Sequence, residues 1–423
     1  MDNDLQNQPT TPEPATAQPP ATPVTTIPVS SAPAPTTPSD STVPSTITPS
    51  AKNPALNIIR VLAGVVALVI IAGSIWALVQ STAKPTTPRI KVGVMMAFSG
   101  GSSSMGYGAM KGVQLAKKQL GADNIQIVQV DSKCDAKTAA GAVKDLIDQK
   151  VVAIIGEGCS SATVAALPAV NNAKIPLISP SASSTVLSTP NDYFFRVVPP
   201  DTFQGSFMAK TIYNQGIRNV AVFYTNEPYG SSMNTVFREK FEELGGKVVA
   251  TASAEPDVID LAGQAQTLKA ANPEALFIAP NSVVSATAIM KLTREAGMKA
   301  PFFGADIMYD NTIISNNPAI AEGLTISSFY TGTKSFKQAL YNEGVKTEQL
   351  YAAPQAYDII HVLQVATQMG ANTGERIKNI LPDITIEGVS GFAKFDAKGE
   401  VSDPSYKYDL FTVKNGKFSI AEQ

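Results

Sequence analysis

Among 423 residues there is one histidine, His361, and there are two cysteines, Cys134 and Cys159. So few imidazole and thiol groups argue against a His/Cys metal site and against most histidine-based catalysis. No block of one charge is present either: 33 Lys and Arg stand against 35 Asp and Glu, and the basic residues are scattered. Nucleic acid, which is held by concentrated positive charge, is therefore not an expected partner. No G-x-S-x-G nucleophile elbow occurs, and the glycine-rich turn SGGSSSMGYG (99–108) lacks the G-x-G-x-x-G spacing of a dinucleotide site. A hydrolase and a nucleotide enzyme both lose their usual anchors, and no cofactor or metal is expected.

What the first 53 residues do contain is Pro, Thr, Ser and Ala, almost without aliphatic or aromatic clusters. Such a stretch buries too little apolar surface to offset the entropy of ordering, so 1–53 is read as a disordered tail. The run VLAGVVALVIIAGSIWALV, Val61 to Val79, carries no charge and has about the length that crosses a hydrocarbon core. We read 54–80 as one transmembrane helix. A cleaved signal peptide fits less well, because the apolar run follows a long polar tail and lacks a small-residue cleavage site. Residues 81–89, with KPTTP at 84–88, make a short stiff linker. The flanking charges leave the orientation open.

From Ile90 onward, apolar runs of strand length alternate with helical periodicity. The strands are read at 90–98, 125–130, 151–156, 175–179, 220–224, 247–253, 275–280 and 301–306, with closing strands near 391–395 and 406–413. This order predicts parallel sheets with helices on both faces. The strands are too many for one ordinary sheet. The expected fold class is α/β, with two doubly wound lobes joined by a hinge and the chain crossing near Pro199-Pro200. Lobe 1 is assigned 90–200 plus about 330–395, and lobe 2 is assigned 201–329 plus about 396–423.

The most informative stretch is VVAIIGEGCSSAT (151–163), a buried strand, a Gly-Glu-Gly turn, and Cys159, Ser160, Ser161 and Thr163 opening a helix. A helix beginning at a strand's carboxyl end aims unpaired N–H groups into the crevice, and hydroxyls in its first turn add donors for an oxyanion. The competing reading is that Ser160 or Ser161 only caps the helix. Cys134 and Cys159 each follow one of two consecutive strands. If those strands are neighbours the thiols lie within reach of a bridge; the alternative is two buried free thiols. A bridge would place the folded region outside the cytoplasm and the tail inside.

In order and spacing, several landmarks resemble the periplasmic branched-chain amino acid binding proteins of ABC transporters, which have a type I periplasmic-binding fold. They are SGG (99–101), DSKCD (131–135), GCSS (158–161), ISPSAS (178–183), Arg196 through Asp201 to Gln204-Gly205, Pro228-Tyr229-Gly230 and FGAD (303–306). The match spans about Ile90 to Val413. The resemblance implies a Cys134–Cys159 disulfide. It puts the ligand carboxylate on Ser160 and Ser183, and the ammonium on a Ser181 carbonyl and on Asp306, with Tyr229 closing from the second lobe. Each has a plainer competitor: turn residues for Ser181 and Ser183, a surface acid for Asp306, a packing ring for Tyr229. Asp201 is either a ligand contact or a helix cap. The chain departs from the family at three places. Met105, with Tyr107 nearby, follows the first turn where the family often has an aromatic, and both are expected at the ligand. Asn281-Ser282-Val283 also stands where an aromatic often follows the strand, and Asp306 replaces a glutamate.

The resulting expectation is a membrane-tethered, extracytoplasmic solute-binding protein that captures a small amino acid or amide-like solute for an ABC permease and catalyses nothing. Hydroxyls for the carboxylate and one Asp for the ammonium would match a zwitterion without leaving a buried unpaired charge. The alternative is a ligand-sensing ectodomain that signals through the span to a partner on the tail.

Overall fold

The computed structural model describes residues 64–74 apart from 67 and 73, then 87–189, 192–346, 349–401, 406 and 408–421. The chain divides into two compact units, residues 1–82 and 83–423. In the first unit, helix is recorded at 64–66, 68–72 and 74. No helix among the described residues is long and apolar enough to cross a membrane. The expected tail at 1–53 lies outside the described residues, and so does most of the expected span at 54–80.

The second unit is built on two sheets. One holds β1 (Ile90–Met96), β2 (Ile125–Asp131), β3 (Ala153–Gly156), β4 (Leu177–Ser179) and β5 (Phe194–Arg196). All its pairs are parallel, in the order β2-β1-β3-β4-β5. The apolar runs read as strands because helices cover both faces, and every residue of β3 and β4 is buried. The order corrects one expectation. β2 and β3 follow each other in sequence but are not neighbours, since β1 lies between them. Cys134 and Cys159 nonetheless form a disulfide, with their Cα atoms 5.5 Å apart, because both turns fold over the carboxyl end of β1.

The other sheet runs β12-β11-β10-β9-β8-β6-β7. Its members are β6 (Asn219–Thr225), β7 (Lys247–Ala254), β8 (Ala275–Ala279), β9 (Phe302–Gly304), β10 (Thr325–Phe329), β11 (Tyr408–Lys414) and β12 (Lys417–Ile420). It is mixed rather than wholly parallel: β11 and β12 are antiparallel additions after β10. A hairpin turn at Asn415-Gly416, both with positive φ, joins them. The expected strand at 391–395 is reduced to isolated bridges, Thr385 with Lys394 and Phe395 with Val401.

In both sheets the strand order reverses once, between β1 and β3 and between β6 and β8. Open α/β sheets hold ligands in the crevice outside the carboxyl ends of the strands at that reversal. The helix Ala353–Gln368, buried on nearly all sides, packs on the helix Ser103–Leu120 beside the first sheet. Gly112 permits this close crossing, because a Cβ there would fall 1.9 Å from the Ala353 carbonyl oxygen.

Candidate functional site

The turns after the two strand reversals face each other across a narrow cavity lined by Met105, Gly158, Cys159, Ser160, Ser181, Tyr229, Asn281, Asp306, Ile307 and Tyr351. From the first sheet come Met105, after β1, and Gly158 to Ser160, after β3. From the second come Tyr229, after β6, Asn281, after β8, and Asp306, after β9. Hydrogen bonds join the two sides around the cavity. Ser184 Oγ donates to the Pro228 carbonyl at 2.8 Å, Thr185 N donates to Ser232 Oγ at 3.1 Å, and Ser104 Oγ donates to Asp310 at 2.5 Å.

The turn after β3 differs from the simplest sequence reading. Neither Ser160 nor Ser161 caps the helix Ser160–Ala173; Cys159 occupies the cap position without a side-chain cap bond. Thr163 turns its hydroxyl back to the Cys159 carbonyl at 2.9 Å and is lost to the crevice. Two amides are also taken, because Glu157 Oε1 accepts from Gly158 N and Cys159 N. Burial pushes this wholly enclosed carboxyl up to about 7, even though those N–H groups favour its charged form. What remains for a ligand anion is the Ser160 hydroxyl and the first-turn amides beyond Cys159. Ser160 Oγ itself accepts from Ser184 N at 3.2 Å.

Ser181 donates its hydroxyl to the Gly158 carbonyl at 2.9 Å and to Met105 Sδ at 3.2 Å. Met105, 2% exposed, lies against Gly158, where a Cβ would meet the Met105 Cε at 2.6 Å, so a side chain there would push the methionine aside. Tyr107 does not join the site: it is 53% exposed and packs its ring edge-on against Phe98.

Across the cavity, Asp306 is buried between two tyrosines. Tyr229 Oη donates to Oδ1 at 2.6 Å, and Tyr351 Oη donates to Oδ2. Burial raises the carboxyl's proton affinity, and the two phenols work against that rise. Asp306 is thus no surface acid, and Tyr229 is more than a packing ring.

Asp201 and Ser183 are buried but do not line the cavity. Asp201 is the first residue of the helix Asp201–Asn214, yet it makes no capping bond, and both its carboxyl oxygens lack a hydrogen-bond partner. The Ser183 hydroxyl is also unpartnered. The hydroxyls of Ser183 and Ser232 lie near enough to favour the anion, but neither completes a hydrogen bond to it. Burial, with Asp306 adding to it, pushes the Asp201 carboxyl up to about 7.

Sequence reasoning passed over Tyr351, Ile307 and the lining role of Asn281. Asn281 follows β8 directly at a strand reversal, a position that topology alone marks. Tyr351 had no such signal, since it comes from the segment between β10 and the helix Ala353–Gln368.

Two α/β lobes meeting over a polar cavity at their strand reversals have the architecture of a two-lobed solute-binding protein. Residues 89–417 match the family described as periplasmic binding protein, and the chain belongs to that family. Among curated relatives, the Leu/Ile/Val-binding protein of Escherichia coli is 24% identical over 339 residues, which cover 76% of this chain and 90% of that protein. Among solved structures, a leucine-binding protein, LivK, from Thermotoga maritima has a TM-score of 0.72 at 26% identity, covering 79% of this chain and 98% of the other. LivJ from Streptococcus pneumoniae, a branched-chain amino acid transporter substrate-binding protein solved with isoleucine, has a TM-score of 0.71 at 26% identity, covering 79% and 99%.

Proposed function

We propose that this chain captures an amino acid between its lobes outside the cytoplasm and delivers it to an ABC permease. The observation that carries this reading is the division of labour across the cavity. Hydroxyl and helix-start amide donors stand on one side and the carboxyl of Asp306 on the other, and no Lys or Arg among the described residues lines the wall. A zwitterion matches such a wall at both ends. Ser160 takes the carboxylate, a Ser181 carbonyl and Asp306 take the ammonium, Tyr229 and Tyr351 hold Asp306 in place, and Ser183 and Asp201 stand behind this wall rather than in it. Relatives named for leucine, isoleucine and valine support the same class of ligand.

In this reading the lobes, 90–200 plus about 330–395 and 201–329 plus about 396–423, open and close about the crossings near Pro199-Pro200 and the two later passages. Closure excludes water and strengthens each polar contact. A micromolar ligand needs roughly 8 kcal/mol, which a few charge-assisted hydrogen bonds and a buried side chain supply after association costs. The apolar run at 61–79 would tether the receptor beside its permease, with the tail at 1–53 on the cytoplasmic side. The test is isothermal calorimetry of the purified protein against the common amino acids. Saturable 1:1 binding of at least one of them, weakened by Ser160→Ala, is expected. No binding, or binding untouched by that substitution, rejects the assignment.

A further inference from the structure

An amino acid held by Ser160 at its carboxylate and by the Ser181 carbonyl and Asp306 at its ammonium turns its side chain to what is left of the cavity wall. Tyr229 and Tyr351 are engaged with Asp306, so that remainder is Met105 and Cys159 from the first lobe, with Asn281 and Ile307 from the second. Met105 touches both polar ends. Its Sδ accepts from Ser181 Oγ at 3.2 Å, and its Cε and Sδ lie 2.6 and 2.7 Å from where a Cβ on Gly158 would stand. Ser181 belongs to the ammonium end and Gly158 to the turn that leads into Ser160, so the thioether runs along one wall from one end of the ligand to the other.

An independent observation concerns how little this wall can withdraw. Met105 is the third residue of the helix Ser103–Leu120, and two glycines that follow it fix that helix's first turns by close backbone approach. A Cβ on Gly106 would fall 1.9 Å from the Ala97 carbonyl oxygen, and one on Gly108 would fall 2.3 Å from the Tyr351 carbonyl oxygen. Met96, wholly buried, brings its own Cε to 2.8 Å from the same point over Gly158, so the space on that side of the glycine is already taken. Interiors packed this closely yield to extra volume only with strain. On the facing wall Asn281 is tied by its backbone N–H, which donates to Thr225 Oγ1 at 2.7 Å.

Resting on the amino acid reading above, we infer that Met105 sets the size of the ligand, and that the favoured amino acid carries a short side chain, as in glycine, alanine or serine, rather than a branched hydrocarbon. The selection works by exclusion. A leucine or isoleucine side chain has to displace a thioether that touches both anchoring turns and rides on a backbone held by Gly106 and Gly108. A single methylene too many in such a pocket is worth about 10- to 200-fold in discrimination. Truncating Met105 removes the obstacle while Ser181 keeps its hydrogen bond to the Gly158 carbonyl, so the polar frame stays in place.

The test is calorimetry of the full-length protein in detergent with glycine, alanine, serine, leucine and isoleucine, for the native chain and for Met105→Ala and Met105→Leu. In the native chain the best of the three short amino acids should bind at least about tenfold more tightly than leucine or isoleucine, and Met105→Ala should shrink that ratio at least about tenfold. Met105→Leu, of similar volume, should retain most of the preference. Should Met105→Ala fail to fold by thermal melting, the native ratio still decides. Leucine or isoleucine binding the native protein as tightly as alanine, or a preference that survives Met105→Ala intact, overturns the role given to Met105 and leaves the amino acid reading standing. Failure of every amino acid to bind removes both.

Discussion

Replacing Asp306 by Asn separates what this carboxyl does for binding from what it does for the fold. In the native site its oxygens each receive a phenol, from Tyr229 and Tyr351, and burial already raises its proton affinity. Asparagine has nearly the same shape but offers one acceptor in place of two. One tyrosine must then turn from donor to acceptor, a loss of about 1 kcal/mol for one hydrogen bond. Set against that, no carboxylate has to be taken out of water, a gain of comparable size in a fully buried position. Folding stability should therefore change by no more than about 1.5 kcal/mol in either direction. Ligand affinity should fall much further, because removing one partner of a buried charge pair costs about 2–5 kcal/mol, or roughly 30-fold to a few thousand-fold in Kd. Calorimetry with the best-bound amino acid, together with urea unfolding of the unliganded protein, measures both. A Kd within threefold of native in a protein of native stability would refute the role given to Asp306.

Glu157, Asp201 and Asp358 are each pushed up to about 7 by burial. The folded chain then keeps protons that the unfolded chain, titrating near 4, has released, so stability falls as pH rises from about 4 through 7. The melting temperature should be higher at pH 5.5 than at pH 8, and a flat or rising profile would contradict their burial as acids. Cys134→Ser with Cys159→Ser opens a cross-link between residues 25 apart, worth about 3.5 kcal/mol in the chain-entropy model. A urea midpoint that does not move between the native and double-serine proteins would rule that out. Gly112→Ala should cost about 3 kcal/mol or more, since its methyl falls 1.9 Å from the Ala353 carbonyl oxygen. By contrast Gly141→Ala, in open space on the helix Ala136–Asp148, should stabilise by about 0.5–1 kcal/mol, and thermal melting of the two variants side by side checks the pair.

The two-lobed α/β architecture was legible because strands covered on both faces must be continuous apolar runs. The stretches at 90–96, 153–156 and 275–279 are nearly or wholly buried and were each found. β5, β10 and β12 were not. β5 has three residues and ends in Arg196, whose charge suggests surface. That guanidinium is fully buried and pairs with Glu400, a partner 204 residues further on that no local pattern reveals. Strand order escaped for a related reason, since β2 and β3 are adjacent in sequence while β1, which separates them, comes earlier in the chain.

The same distinction decides which site residues could be read in advance. Ser160, Ser181, Tyr229 and Asp306 all sit in the loops or helix starts that follow strands, where type and position together announce a crevice. The two groups that most alter the site's electrostatics do not announce themselves. Glu157 stands in a recognisable turn, but only its rotation back onto Gly158 N and Cys159 N removes those amides from the anion pocket. Tyr351 precedes Ala352, a left-handed residue that starts the helix Ala353–Gln368, and it reaches Asp306 across a segment with no strand of its own. Tyr351 acts on a carboxyl brought near by tertiary folding, and Glu157 on the two amides that follow it in the chain. A sequence displays which donors and acids are available at the cleft, but how many of them are left over for a ligand is settled by rotamers and long-range partners that no local pattern reveals.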